Sequence, residues 1–549
     1  RPLLAFAIAA VVIIVTLLYQ NIYYRRLRQF AHLPQLPPSL IWGHLKHFND
    51  FTKRGKLDRH PDYVLADMHR ELGRPPFMLM NNWPLVPPMV VVASHQVAEQ
   101  ISKPTAKFPY SAMKSSSLSH VNDLIGHKSI LLKQGEEWKT IRRRFNPGFA
   151  PQHLMTLLPV IVDKMTPYLE NIDAFVRSGA SFSLDDITTN LTFDIIGAVS
   201  VNENMNAQYA DRQGDLIRTF KQLIKTFADD TLQLPWWLTP LMHLRRRRLG
   251  QSITRKLQDI VRRSFADIKA RERDGKEPDK LRTVVSLSLH DLDRLTPGVL
   301  EETCDQLKTF FFAGHDSTSA ILVWAIYELS RTPHALQCVQ DELDTLFGRE
   351  GARDPKIVRE RLLGPGGDEI VHRMRYISAV LKETLRLHPP AGSVRVARPG
   401  SGFAVSTPEG GEYNLDGCWL YLNHNIMHRD PAVYGESAND FVPERWLPSA
   451  TEALPPASAW RPFERGPRNC IGQELANIEL RVIIAMLARR YDFTKVGLGE
   501  LDLDPQGRPT LDDKGHFKVK SELYNMYKIA SKPVDGMMMK VKLASPTAG

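Results

Sequence analysis

The sequence predicts a mostly α-helical fold with small β-sheets, an α+β body behind one N-terminal transmembrane helix. Three observations predict it. An uncharged aliphatic run opens the chain, strand-like pieces come early, and long helical patterns cover most of the rest. From about residue 45 onward there is neither an internal repeat nor a low-complexity tract, so the body reads as one mixed unit.

From Pro2 to Tyr24 no side chain is charged, and Leu3 to Leu18 is almost purely aliphatic. At 1.5 Å per residue such a run just crosses a hydrocarbon core of about 30 Å. A cleaved signal peptide would have a shorter apolar region ending in a small-x-small site. Tyr-Gln-Asn-Ile-Tyr-Tyr follows Leu18 instead, so an uncleaved anchor over 1–24 is expected. Arg25, Arg26 and Arg28 come next, behind the interfacial pair Tyr23 and Tyr24, and the positive-inside rule puts the body in the cytosol. Pro34, Pro37 and Pro38 restrict φ, which makes 25–45 a basic, Pro-rich linker before a body over 46–549.

Within the body, Pro76–Leu79 and Pro88–Val92 read as a hairpin. Thr296 is placed to cap a helix with Pro297 at its first position, and the apolar pattern runs to Ser330, about 50 Å of helix. Residues 234–250 set Trp236 and Trp237 beside Arg245 to Arg248. That is either a solvated basic loop or a second membrane contact.

Length alone, 549 residues, allows three or four domains. Apolar residues at 43 % and charged residues at 24 % exclude a disordered chain and a polytopic membrane protein. The four cysteines, 304, 338, 418 and 470, form no Cys-x-x-Cys pair, so neither a disulfide framework nor a thiolate-rich zinc site is expected. The 71 basic residues exceed the 61 acidic ones, for a net charge of +10, and with no nucleic-acid motif in view the excess is assigned to a membrane face and an acidic protein partner.

The most informative segment runs from Phe463 to Gly472, before an apolar helical pattern over Leu475–Leu487. A lone cysteine in front of a helix has its thiolate favoured by the dipole and by free backbone N–H groups. Glycines around it let the backbone turn against a flat ligand, and Arg468 offers a charge for an anionic group. A thiolate ligand to haem iron has these needs.

F-x-x-G-x-R-x-C-x-G resembles the haem-binding signature of the cytochrome P450 family at every fixed position: Phe463, Gly466, Arg468, Cys470 and Gly472. Glu383 and Arg386, three apart on one helix face, with Arg445 in Phe441-Val442-Pro443-Glu444-Arg445, are similar to the family's E-x-x-R and P-E-R elements. They imply a structural ion network that holds the proximal loop. Ala313-Gly314-His315-Asp316-Ser317-Thr318 resembles the oxygen-activation motif. Small Ala313 and Gly314 would admit a haem plane, and Asp316 with Ser317 or Thr318 would deliver protons. Ser317 stands where the family usually has threonine, so either hydroxyl can carry the role. His315 is read as a packed or solvent-facing histidine. Trp138 and Arg142 resemble W-x-x-x-R, which approaches a haem propionate. Arg395 is a further propionate candidate, with Arg398 behind it.

The resemblance implies the cytochrome P450 fold, haem b with Cys470 as its metal ligand, and Phe463, Arg468 and Gly472 around it. It implies a monooxygenase that inserts one oxygen atom of O2 into a lipophilic small molecule, taking electrons from an NADPH–cytochrome P450 reductase. The arginines near the ligand loop (Arg461, Arg465, Arg468) and the Arg142 cluster would dock that partner. An endoplasmic reticulum membrane location follows, with a leaning toward fungal secondary metabolism. Two alternatives stand beside it: a peroxide isomerase or dehydratase that needs no O2, and a non-catalytic haem-binding protein. Phe310, Phe311 and Phe312 point to an apolar, aromatic-tolerant pocket, although three consecutive helix positions face different ways. A cytosolic body also leaves the sequon Asn190-Leu191-Thr192 unglycosylated.

Overall fold

The uncharged opening run is helical over Pro2–Tyr23 and continues as a π-helical turn, Tyr24–Arg28, that carries the arginines. Its apolar window is not buried at all, and a helix that is hydrophobic on every side has no use for that surface in water. The chain is a candidate for one membrane span here by length and composition. The proline-rich stretch after it is docked rather than free. Leu79 N donates to Pro34 O at 2.8 Å, and His44 Nε2 lies 2.8 Å from Leu36 O.

The computed structural model describes residues 2–230, 238–275, 282–448, 454–528 and 530–545. Trp236 and Trp237 therefore lie outside the described residues. The chain divides into two compact units.

The first unit comprises Arg1–Ser115, Gly392–Ala438 and Pro455–Asn469. Its centre is a five-stranded sheet in the order Phe77–Met80, Met89–Val92, Trp419–Leu422, Ser393–Val396, Met113–Lys114. The expected hairpin forms with Phe77 opposite Val92, and all four residues of its first strand are buried. Short apolar strands with both faces covered read as continuous hydrophobic runs, as Phe-Met-Leu-Met and Met-Val-Val-Val do.

The second unit comprises Ser116–Ala391, Asn439–Leu454 and Cys470–Gly549, and it is mainly helical. Its axis is the helix Pro297–Arg331, 35 residues long; Thr296 Oγ1 accepts from Val299 N at 3.3 Å and Pro297 sits in the first turn, as expected. The helix Leu184–Val201 packs along it. A Cβ on Gly314 would come within 2.9 Å of Ile196 Cγ1, so glycine is needed there for the two helices to approach. A three-stranded antiparallel sheet (Phe182–Ser183, Met538–Leu543, Tyr491–Lys495) and a hairpin pairing Asn525–Tyr527 with Ser531–Pro533 complete the unit. That hairpin brings Lys532 to the long helix.

Candidate active site

In the second unit Cys470 stands just ahead of the helix Gln473–Leu487, whose N-cap is Gly472, and it is exposed. Trp138 and Arg142 lie in the helix Gly135–Phe145. Trp138 is buried, and Arg142 Nε donates to Asn146 Oδ1 at 2.8 Å. Burial lowers the Arg142 pKa, and the charge opposing that shift is Cys470, so the structure brings these two sequence-predicted residues together.

Glu383 and Arg386 share one face of the helix Arg375–Leu387, both fully buried. Glu383 Oε1 accepts from Arg386 Nη2 at 2.8 Å, from Arg445 Nε at 3.0 Å and from Val442 N at 3.0 Å. Its Oε2 accepts from Arg386 Nε and Trp446 Nε1, each at 2.9 Å. Five charged or dipolar donors compensate one buried carboxylate, the condition for burying it at all.

On the long helix Ser317 Oγ donates to Ala313 O at 2.7 Å, and Ala313 is exposed, so Ser317 shares the open face of its turn. Thr318 is buried. Asp316 Oδ1 lies 3.0 Å from Lys532 Nζ, while its Oδ2 accepts from Ala530 N at 3.0 Å. Lys532 Nζ also bonds Asp185 Oδ1 at 2.8 Å, Thr189 Oγ1 at 3.1 Å and Ser319 Oγ at 3.2 Å. Burial works against ionising Asp316, but Lys532 and His315 outweigh it and hold the carboxyl below its ordinary value. A cavity of about 680 Å³ reaches this group, lined in part by Asp185, Lys221, Lys225, Asp316, Lys528 and Lys532. His315 is a packed histidine: Nδ1 sits 2.6 Å from Phe311 O and the ring lies on Phe193, 4.5 Å between centroids.

In the first unit the loop before Asn469 holds Phe463 and a buried Arg468. Gly466 has φ +77°, and a Cβ there would lie 2.2 Å from Ser102 O. Glu464, itself at φ +56°, is pinned by Arg461, Ser102 and His424, which lies 2.9 Å away. Its carboxyl is buried, which opposes ionisation, yet His424 and Arg461 hold it well below the usual range. Arg395 is 0 % exposed, and its Nε, Nη1 and Nη2 have no hydrogen-bond partner among the described residues. Burial pulls its pKa down to about 10. A buried guanidinium fork without an acceptor suits a planar carboxylate, and a haem propionate supplies one. Arg398, by contrast, is exposed. With a cysteine ahead of a helix, the residues present fit haem.

Three expectations change. Gly314 serves the contact with Ile196, because a Cβ on it would run into the Leu184–Val201 helix. Arg461 is not a docking residue: its side chain is fully buried, with Nη1 on Glu99 at 2.7 Å, while Arg468 is buried and Arg465 is half-spent on Glu99 at 3.0 Å. Phe310 and Phe311 are core residues, packed on Phe145 and Phe149 and on Phe193 and Phe220 respectively, which leaves only Phe312 partly open. Sequence reasoning missed Lys532, Asp185 and Glu464. The first two belong to no local pattern, and Glu464 occupies a variable position of its motif.

The comparisons agree with this geometry. The Cytochrome P450 family model matches residues 34–509. The chain is similar to the cytochrome P450 monooxygenase acrF of Aspergillus aculeatus, 30 % identical over 465 residues, 79 % of this chain and 88 % of that protein. It is also similar to the bifunctional cytochrome P450/NADPH–P450 reductase ascE of Acremonium egyptiacum, 26 % identical over 444 residues, 79 % of this chain but 39 % of that longer protein. The crystal structure of the cytochrome P450DA heme domain has the same fold, with a TM-score of 0.69 at 17 % identity over 94 % of this chain and 98 % of the other. The chain belongs to the cytochrome P450 family and is a monooxygenase of that family.

Proposed function

We propose that this monooxygenase hydroxylates or epoxidises a lipophilic small molecule, with electrons from a separate NADPH-dependent reductase. Bound haem b supplies oxygen binding and activation. Cys470 is its thiolate ligand. Arg395 takes a haem carboxylate, Trp138 and Arg142 are further propionate-binding residues, and Phe463, Arg468 and Gly472 shape the ligand loop. The network of Glu383, Arg386 and Arg445 keeps the adjoining segments in place. Ala313 leaves room on the open face of the long helix.

The observation that carries the oxygen-dependent reading is the half-buried, ionised Asp316, ion-paired to Lys532 and followed in the chain by two hydroxyl residues. Protons enter through the cavity that Asp316 and Lys532 line, and Asp316 hands them to Ser317, whose hydroxyl shares the open face with Ala313. An enzyme that merely rearranges a peroxide needs no such supply. Phe312 and the aliphatic surroundings favour an apolar substrate.

The bifunctional relative joins a reductase to its P450 in one polypeptide, which supports a flavoprotein reductase as the electron source. Lys139 and Arg143, exposed on the helix Gly135–Phe145, offer it a basic surface. The apolar N-terminal helix anchors the enzyme in the endoplasmic reticulum with the body in the cytosol. Leu241, 81 % exposed, and Leu244 beside Arg245, Arg247 and Arg248 make a second contact with anionic lipid.

The test is reconstitution with reductase and NADPH against a library of lipophilic compounds, preselected by a shift of the haem Soret band. Turnover that needs O2, NADPH and reductase supports the reading. Turnover of a peroxide substrate without them refutes it. Cys470→Ala abolishes the thiolate-specific spectrum of the CO complex.

A further inference from the structure

Away from the haem residues, three donor groups of the second unit converge at the surface. His334 and Cys338 lie four apart in the helix Pro333–Phe347, hence on one face, and Glu444 approaches them from the short helix Pro443–Trp446. Their donor atoms all fall within 4.8 Å of one another. Cys338 Sγ is 3.7 Å from His334 Nε2, and His334 Nε2 is 3.4 Å from Glu444 Oε1.

The spacing is informative. A tetrahedral zinc ion with bonds of about 2.3 Å to sulfur and about 2.0–2.1 Å to nitrogen and oxygen separates its donors by roughly 3.4–3.6 Å. The two separations that His334 makes, 3.7 and 3.4 Å, are close to that, and the second is longer than a well-formed N–H···O bond. Imidazole, thiolate and carboxylate together suit zinc, and the two anions balance its charge. The Tyr376 hydroxyl donates to Glu444 Oε1, the same oxygen that faces His334, and so orients the carboxylate, the support that metal-binding carboxylates commonly have. His334 is 73 % exposed on its side chain, which leaves an entry path and a fourth position for water.

We propose that His334, Cys338 and Glu444 bind a zinc ion. Binding displaces the thiol proton of Cys338 to solvent. The ion ties the Pro333–Phe347 helix to Glu444, whose neighbour Arg445 bonds Glu383 at 3.0 Å, so metal occupancy bears directly on the buried ion network.

The test uses the full-length, haem-loaded chain. Equilibrium dialysis against zinc is run alongside iodoacetamide labelling of Cys338, read by peptide mass mapping. The expected result is one equivalent of zinc, Cys338 labelling slowed about tenfold when zinc is present, and affinity about tenfold weaker in both His334→Ala and Cys338→Ser. Both substitutions are at the surface, and an unchanged CO-complex spectrum certifies the fold of each variant. Labelling that zinc leaves unchanged, or affinity equal in wild type and both variants, overturns the proposal.

Discussion

Arg386 holds Glu383 through two parallel hydrogen bonds, Nε to Oε2 at 2.9 Å and Nη2 to Oε1 at 2.8 Å, with both side chains fully buried. Arg386 Nη2 also reaches Asp440 O at 2.8 Å, so the pair fastens the Arg375–Leu387 helix to the 440–446 segment. Removing one partner strands the other charge. Glu383→Ala is therefore expected to cost about 3–5 kcal/mol of stability, whereas Glu383→Asp retains the charge and loses less. Urea unfolding followed by far-UV circular dichroism measures both. A loss below about 1 kcal/mol for the alanine variant would contradict a network that bears on stability.

Arg395 leads to an expectation with two opposite signs. Burial without an acceptor disfavours its charge, with the pKa pulled down to about 10. Arg395→Met should therefore leave the haem-free chain as stable as wild type or more so, by about 1 kcal/mol, since an uncompensated buried cation is replaced by packing. The same variant should release haem faster, because the propionate loses its fork. Differential scanning of the apo form and haem transfer to a scavenger globin report the two effects separately. Equal haem retention would remove Arg395 from the cofactor site.

Much of this was legible in the sequence where the signal is local. The hairpin, the Thr296 cap and the Cys470 loop are written in turn residues, caps and fixed spacing, and the structure places each within a residue or two of its expected bounds. The Glu383 network was legible through the three-residue spacing of its first pair. Lys532 was not, because it meets Asp185 across 347 positions and a lone lysine in a β-hairpin carries no mark of its partner. The arginines of the ligand loop misled for the same reason. Charge in a sequence does not say which face it takes, and Arg461 turned inward onto Glu99. Gly314 read as space for a ligand because small residues at a helix crossing look alike from sequence.

The ion pair of Asp316 and Lys532 gives a pH-dependent expectation. The folded carboxyl lies below its ordinary 3.8, so its contribution to stability is present above that value and is lost as pH falls through the lower folded one. Lys532 is raised above 10.5, so its contribution is present below that value and is lost as pH rises through the higher folded one. In Lys532→Met burial dominates and the Asp316 carboxyl moves upward. The variant's stability deficit relative to wild type should then be largest at about pH 6 and shrink as pH falls and the carboxyl is protonated. Urea midpoints measured from about pH 3 to pH 6 test this, and coincident curves would mean that Lys532 does not set the charge of Asp316.

In the proposed function two adjacent hydroxyls compete for the final proton transfer, and their surroundings separate them. Ser317 donates to Ala313 O on the open face of the long helix, whereas Thr318 is 5 % exposed and packed. Ser317→Ala should therefore divert reducing equivalents to hydrogen peroxide and lower product per NADPH about a hundredfold, the low end of the range usual for one positioned acid–base group. Ser317→Thr keeps the hydroxyl and should keep coupling. Thr318→Val, nearly isosteric, should leave coupling near wild type and act on stability through its lost hydroxyl. Product, peroxide and NADPH measured in the same reaction decide between them. Loss of coupling in Thr318→Val with Ser317→Ala unaffected would transfer the role to Thr318 and place the reacting side of the helix one residue further round its turn.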